Sequence, residues 1–480
     1  MSGAALALAP ATTLSSGLLL TGAGAAALVV PLALLIRREP RAFPILALLA
    51  LPFRLPVSAD GRTVNLLIPL YIVVTAGTLA HLSRRARPAR GQAVADGGRR
   101  GEQRSSLRDR AAGAIAFATD WRAWLTPRGL QWLLLGFVAL YCVQASYSLD
   151  LAKAGENVAF FYLPFAVLFF LLREVRWTRE LLLACLATVV ALAVVFTGVG
   201  FVEYARKTLF LNPKVVAANQ YDNYFRVNSL FFDPSIYGRF LALVMIAVTA
   251  IVLWRQRRRD VLVCAAVLAW LLAGLVTSFS QSSVAALLLG LAVLAAWRWN
   301  VRATVYVGGA LVSLAVIGVL AAPSSFHFGL KGSKGSASNA TSGRTKLISG
   351  GLELFTERPL QGHGSGSFQR AYKQHHLGAG VQNATSASHT IPVTVAAEQG
   401  LIGLAVYVAL LICAFAVLFG GAGRSPPRIA IAACFAALVL HTWTYADFLE
   451  DPLTWTLLGI GVALARAAGG ERCSTTSSAS

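Results

Sequence analysis

Apolar runs of roughly 17–25 residues recur from residue 14 to residue 468, and no other feature constrains the fold as tightly. A helix of that length crosses about 30 Å of hydrocarbon. In lipid every backbone polar group must find its partner within the protein, so repeated runs of this kind dictate a helical bundle. The expected segments are 14–36, 42–54, 64–82, 129–148, 155–172, 180–202, 236–254, 261–277, 283–297, 303–322, 391–419, 429–445 and 453–468. This is the pattern of an all-α polytopic integral membrane protein with about 12–14 spans; the second span is the shortest, and the seam near 278–282 is free to shift. Composition agrees. Charged residues make up only 13% of the 480, against about 25% in soluble domains.

The basic residues divide by loop. Positive residues in short loops mark the cytoplasmic side. Arg37, Arg38 and Arg41, the Arg-rich stretch 84–128, Arg173, Arg176 and Arg179, Arg255 to Arg259, Arg298, Arg302, Arg424 and Arg428 fall in alternate loops. With Arg466 and Arg472 they amount to 27 of the 42 Lys and Arg residues. This predicts an external N-terminus and an internal C-terminus; an even number of spans would reverse the former. The net charge of +21 is thus a topology and anionic-lipid signal, and does not imply nucleic acid. The other 15 are concentrated outside, five in 203–239 and seven in 323–390. That surplus points to an anionic ligand, with phosphate the first candidate.

The chain divides accordingly. Residues 1–83 are N-terminal spans and 84–128 a basic cytoplasmic loop without apolar period, expected to be largely disordered. A short interfacial helix is expected within 115–126. Residues 129–322 form central spans with an outer loop at 203–235, residues 323–390 a large extracytoplasmic loop, and 391–468 the C-terminal spans. The tail 469–480 is expected to be disordered. The six cysteines form no disulfide or metal pattern, and the N-terminus lacks the charged region of a cleavable signal. Neither an internal repeat nor a discontinuous helix is evident, which argues against a transporter.

The large loop holds the candidate chemistry. Leu347, Ile348, Gly351, Leu352 and Phe355 share one helical face between Arg344 and Pro359, predicting a short external helix that presents Arg344 and Lys346. The run Gly362-His363-Gly364-Ser365-Gly366 is either a plain turn or one whose backbone N–H groups approach an anion. His389 stands at the membrane mouth as a cap or as a proton carrier. Glu398, two turns into a span, is functional by default or paired for packing. In the earlier loop, Arg226 precedes Phe231-Phe232-Asp233-Pro234-Ser235, as a snorkelling residue or an anion contact. A hydroxyl-rich seam, Thr277 to Ser283, and an acidic turn, Tyr445 to Asp451, complete the set.

An arginine before a Phe-x-Asp-Pro-Ser turn, a seam around Ser280, the loop Pro359-Leu360-Gln361-Gly362-His363-Gly364, a histidine at the loop's end and Glu398-Gln399-Gly400-Leu401-Ile402-Gly403 together resemble the O-antigen ligase/polymerase family, over roughly residues 220–460. The resemblance implies a bundle of about a dozen spans with a large external loop. It also implies transfer of a glycan from a polyprenyl-diphosphate carrier to a hydroxyl of a glycan or glycolipid acceptor in the membrane, with no nucleotide sugar, cofactor or metal. It assigns Arg226 and Arg344 to phosphate binding and His389 to the loop-end histidine, which would accept the acceptor proton or orient the hydroxyl, with Asp233 and Glu398 as further bases. Asp233, Gly362, Gly364, Glu398 and Lys346 would contact substrate. The chain departs from the pattern at His389-Thr390, where the family often has His-Asn, and at Ser280-Gln281, where it has Ser-Arg. Both differences bear on the choice of acceptor.

Overall fold

A computed structural model describes residues 16–59, 62–85, 121–211, 225–255, 257–302, 304, 306, 336–375, 388, 390–445 and 447–477. Among them eight helices are long and apolar enough to cross a membrane. In chain order, with the shorter helices between them, α1 is Ser16–Arg38, α2 Ala42–Ala50, α3 Ile68–Arg85, α4 Trp121–Trp124, α5 Pro127–Ala145, α6 Leu151–Arg173, α7 Arg179–Arg206, α8 Pro234–Trp254, α9 Arg258–Thr277, α10 Gln281–Arg298, α11 Ser336–Glu357, α12 Phe368–His375, α13 Ile391–Phe419, α14 Pro426–Thr444 and α15 Pro452–Ser477. The eight are α5 to α10, α13 and α14. The protein is an all-α polytopic membrane protein, as its apolar runs dictate.

The structure departs from the expected segments in several places. The second segment, 42–54, is only nine residues of helix, about 14 Å long and too short to cross alone. It leads into an antiparallel hairpin, Leu55–Ala59 (β1) with Arg62–Leu66 (β2), whose strand alternation is blurred when hydropathy is averaged. The external helix begins at Ser336 rather than Arg344. The last helix runs on to Ser477, through most of the tail expected to be disordered, because extending a nucleated helix costs little. The segment 303–322 and most of the loops 84–128 and 323–390 lie outside the described residues; α4 is the single turn found where an interfacial helix was expected.

Helices α8 and α14 form the centre, each two-thirds buried within the protein (67%), whereas α9 (17%) and α7 (22%) lie at the periphery with most of their surface uncovered by the rest of the protein. Helix α8 packs on α9, α10 and α14, and α15 packs on α6. At one end of the bundle the arginine-bearing ends gather: Arg466 reaches Glu174 at 3.4 Å, Arg255 reaches Asp260 at 3.1 Å, and Arg298 Nε donates to Leu253 O at 3.3 Å. The candidate motifs gather at the other end.

Candidate functional site

The expected continuous span over 391–419 is broken. Gly400 has φ +65° and ψ −163°, a conformation essentially confined to glycine. The glycine loop fills the break. Leu401 N–H donates to Pro359 O (2.7 Å), His363 N–H to Ala397 O (3.1 Å) and Gly364 N–H to Glu398 O (2.8 Å). Helix α5 secures the loop from its other side: Gln144 Nε2 donates to Gln399 O at 3.1 Å, Tyr147 OH to Gln361 O at 2.8 Å, and Ser148 Oγ to Ser365 O at 2.8 Å. Gly362 and Gly364 both have positive φ, and a Cβ on them would strike the backbone of Glu398 and Ser148 respectively. Non-helical backbone at membrane depth is tolerated only when the protein satisfies it, and here the loop does so. Burial holds the His363 imidazole below its usual pKa; its Nε2–H donates to Leu354 O at 3.0 Å, tying the loop to α11.

The glycine run does approach an anion, and the anion is internal. Gly366 N–H donates to Glu398 Oε2 at 2.8 Å and Phe368 N–H to Oε1 at 3.0 Å. Both oxygens of the buried carboxyl group are therefore engaged in holding the loop. Glu203 repeats the device on the earlier loop. It is fully buried at the C-terminal end of α7 and accepts from Phe210 N–H at 2.9 Å and from Ser229 N–H at 2.7 Å.

Above the clamped loop lies a cavity of about 310 Å³, lined among others by Tyr141, Lys153, Asn157, Phe368, Glu398 and Glu450. Asn157 Nδ2 donates to Tyr141 OH at 2.8 Å and to Glu450 Oε1 at 2.9 Å, joining the α5–α6 pair to the acidic turn. A π-helical turn at Val158–Tyr162, inside α6, turns Tyr162 into the same wall. Burial first, and the Asp447 carboxylate next, push Glu450 up to about 7, against the pull of Lys153.

The earlier loop meets the hydroxyl seam next to this cavity. Val227 N–H donates to Thr277 O at 3.2 Å, and Arg226 Nε to Ser278 O at 3.2 Å, which fixes the guanidinium against the seam. Gly238 allows the close approach: a Cβ there would collide with Ser283 Oγ and crowd Ser278 Oγ. His441, fully buried at the end of α14, places Nε2 3.3 Å from Ser282 Oγ and 3.2 Å from Ser283 Oγ, with its ring 5.7 Å from that of Tyr445. Asp233 caps α8 through Ser235 N–H at 2.6 Å. It also hydrogen-bonds the Tyr445 hydroxyl, whose pKa burial, Asp233 and Asp447 raise well above the usual value. A buried ion pair, Arg239 to Asp451 at 2.6 Å, closes the cluster.

Of the residues singled out in the sequence, Arg226, Asp233, Gly362, Gly364 and Glu398 all lie at this end of the bundle. Arg344 and Lys346 lie on α11, which packs on α13; their side chains, and His389 altogether, are outside the described residues. Sequence reasoning missed Tyr141, Lys153, Asn157, His441 and the Arg239–Asp451 pair. Asn157 and His441 are polar residues within apolar runs, the signal by which they are legible.

Residues 266–408 match the family model described as O-Antigen ligase. No curated protein matches the chain. The matched segment contains the seam, the glycine loop, Glu398 and the broken helix. Over that segment, 143 of the 480 residues, the chain is similar to the O-antigen ligase family.

Proposed function

We propose that the protein moves a glycan from a polyprenyl-diphosphate carrier to a hydroxyl of an acceptor glycan or glycolipid at the outer face of the cytoplasmic membrane, as a surface-polysaccharide polymerase or ligase. Glycan transfer follows from the family; the carrier, the acceptor and the side of the membrane are inferred. The observation that carries the reading is convergence. The loop Pro359 to Phe368 and the turn Tyr445 to Asp451 meet around one cavity. Asp233, hydrogen-bonded to Tyr445, joins to it the earlier loop, in which Arg226 is held on the hydroxyl seam, more than 200 residues from that turn in the chain.

In the reaction the acceptor hydroxyl attacks the anomeric carbon, and the bond from that carbon to the diphosphate oxygen breaks with its electron pair on the leaving group. Arginines preorganised at the membrane edge stabilise the charge that develops there, an effect worth several kcal/mol (roughly 3–4 for one well-placed donor). Arg226, Arg344 and Lys346 supply that charge. His389 takes the acceptor proton or orients the hydroxyl. Glu398 and Asp233, engaged in loop and helix-cap hydrogen bonds, are assigned a positioning role in this reading, with His389 as the base.

The broken α13 favours a second reading, a flippase or exporter of lipid-linked oligosaccharide, because transporters bind substrate at such breaks. Here the freed backbone groups are bonded to the protein's own loop, which favours the enzyme. The test is a set of variants in reconstituted protein supplied with a synthetic polyprenyl-diphosphate oligosaccharide. Arg344→Ala and His389→Ala are each expected to abolish transfer while leaving membrane insertion intact. Product at the wild-type level from either variant removes that residue from the mechanism. A glycan ladder formed without added acceptor identifies a polymerase, and product formed only with acceptor identifies a ligase.

A further inference from the structure

At the arginine-bearing end of the bundle a cavity of about 300 Å³ is lined by Arg179, Arg255, Arg257 and Asp260. The four come from two separate turns of the chain. Arg179 opens α7, Arg255 follows the last residue of α8, and Arg257 and Asp260 stand at the start of α9, which packs on α7. The tendency of short loops to carry arginine accounts for the residue type. It does not require arginines from two loops to converge on one space.

Their pairing leaves positive charge over. Asp260 is the one carboxylate among the lining residues, and it is bonded to Arg255 at 3.1 Å. The side chains of Arg179 and Arg257 have no hydrogen-bond or ion-pair partner among the described residues. The backbone adds to the charge. Helix α9 has Arg257 as its N-cap, a side chain with donors only, so its first-turn N–H groups have no side-chain acceptor from the cap. The N-terminus of α7 lies at the same cavity, and two helix dipoles therefore present their positive ends there. Guanidinium forks match phosphate oxygens two at a time. One turn further along α9, Leu262 and Val263 are exposed and offer an apolar surface beside the charged one.

We propose that this cavity binds the phosphate headgroup of an anionic phospholipid, with the acyl chains lying along α9. Arg179 and Arg257 grip the phosphate, and Arg255, held by Asp260, closes the third side. The three helices joined in this way carry at their opposite ends the Glu203 clamp, the Asp233 cap and the seam that fixes Arg226. The lipid thus braces the scaffold of the candidate site from the far end of the same helices.

The experiment titrates detergent-solubilised full-length protein with dihexanoyl phosphatidic acid, dihexanoyl phosphatidylcholine and inorganic phosphate, with affinities read by calorimetry. Phosphatidic acid is expected to bind at least tenfold more tightly than either of the others. Arg179→Gln/Arg257→Gln is expected to weaken that binding at least tenfold. Arg258→Gln/Arg259→Gln, an equal change of charge on exposed neighbours outside the cavity, is expected to weaken it less than threefold. Equal losses in the two variants would assign the binding to diffuse surface charge and overturn the proposal. Phosphatidic acid no tighter than phosphatidylcholine overturns it as well, and inorganic phosphate as tight as phosphatidic acid would make free phosphate the ligand and overturn the lipid assignment. Phenylglyoxal modification of wild type, read by peptide mass spectrometry, needs no variant. Phosphatidic acid is expected to shield Arg179 and Arg257 and leave Arg258 and Arg259 reactive; equal reactivity of all four with lipid present contradicts the site.

Discussion

Glu450 is held where burial and Asp447 oppose its charge, and its carboxyl is pushed up to about 7. An unfolded glutamate releases its proton near pH 4.3. Between about 4.3 and 7 the folded chain therefore binds a proton that the unfolded chain has lost, so stability falls as pH rises through that window and levels off above it. Thermal melts from pH 5 to 8 are expected to show this decline in wild type. Glu450→Gln is expected to flatten it and to raise Tm at pH 8; an unchanged slope in the variant would assign the decline to another group. Gly400 makes a backbone prediction. Its dihedral angles are confined to glycine and a Cβ would strike Leu360, so Gly400→Ala is expected to cost at least about 1–3 kcal/mol and to expose the 359–368 loop to protease. Protection equal to wild type would mean that the loop does not depend on the break. Glu398 was legible in the sequence as an ionisable residue in an apolar run. Glu450 was legible only as part of an acidic turn, because nothing in the sequence reveals that Asn157, almost 300 residues away, donates to it.

Helices α8 and α15 are joined by the Arg239–Asp451 pair, with the two side chains 1% and 3% exposed. Asp451 also accepts from Leu453 N–H at 2.9 Å at the start of α15. Removing one partner of a buried pair leaves the other charge uncompensated, typically about 3–5 kcal/mol, whereas apolar replacement of both is often near neutral. Arg239→Met alone is expected to lower Tm sharply, and Arg239→Met/Asp451→Leu to recover most of the loss. A double variant as unstable as the single would assign the pair's role to shape rather than charge. The helices themselves were largely readable, because membrane length and apolar composition leave few alternatives. What escaped is what hydropathy averages away: the hairpin Leu55–Leu66 and the break at Gly400. A lone glycine in an apolar run is common in membrane helices, and only the loop bonded across it distinguishes this one.

The molecule has two chemically different ends. One gathers the arginines that topology explains; the other gathers two glutamate-clamped loops, a hydroxyl seam and a cavity. Tyr141, Lys153 and Asn157, from the first third of the chain, complete the cavity wall although they lie outside the segment that matches the family. The cavity is therefore built by segments far apart in the chain, and residues 137–162, readable in sequence only as spans, form one of its walls. That makes Asn157→Ala informative: it is expected to lower glycan transfer at least tenfold with little change in Tm. A matching loss of Tm would place Asn157 in folding rather than in the site. The central claim is that this end breaks the bond between glycan and carrier. The most direct measurement follows polyprenyl diphosphate released from a synthetic lipid-linked oligosaccharide by wild-type protein in sealed vesicles, with leaflet position recorded in parallel. The account predicts diphosphate release coupled to glycan growth or transfer. Movement of intact lipid-linked glycan between leaflets without release would contradict it.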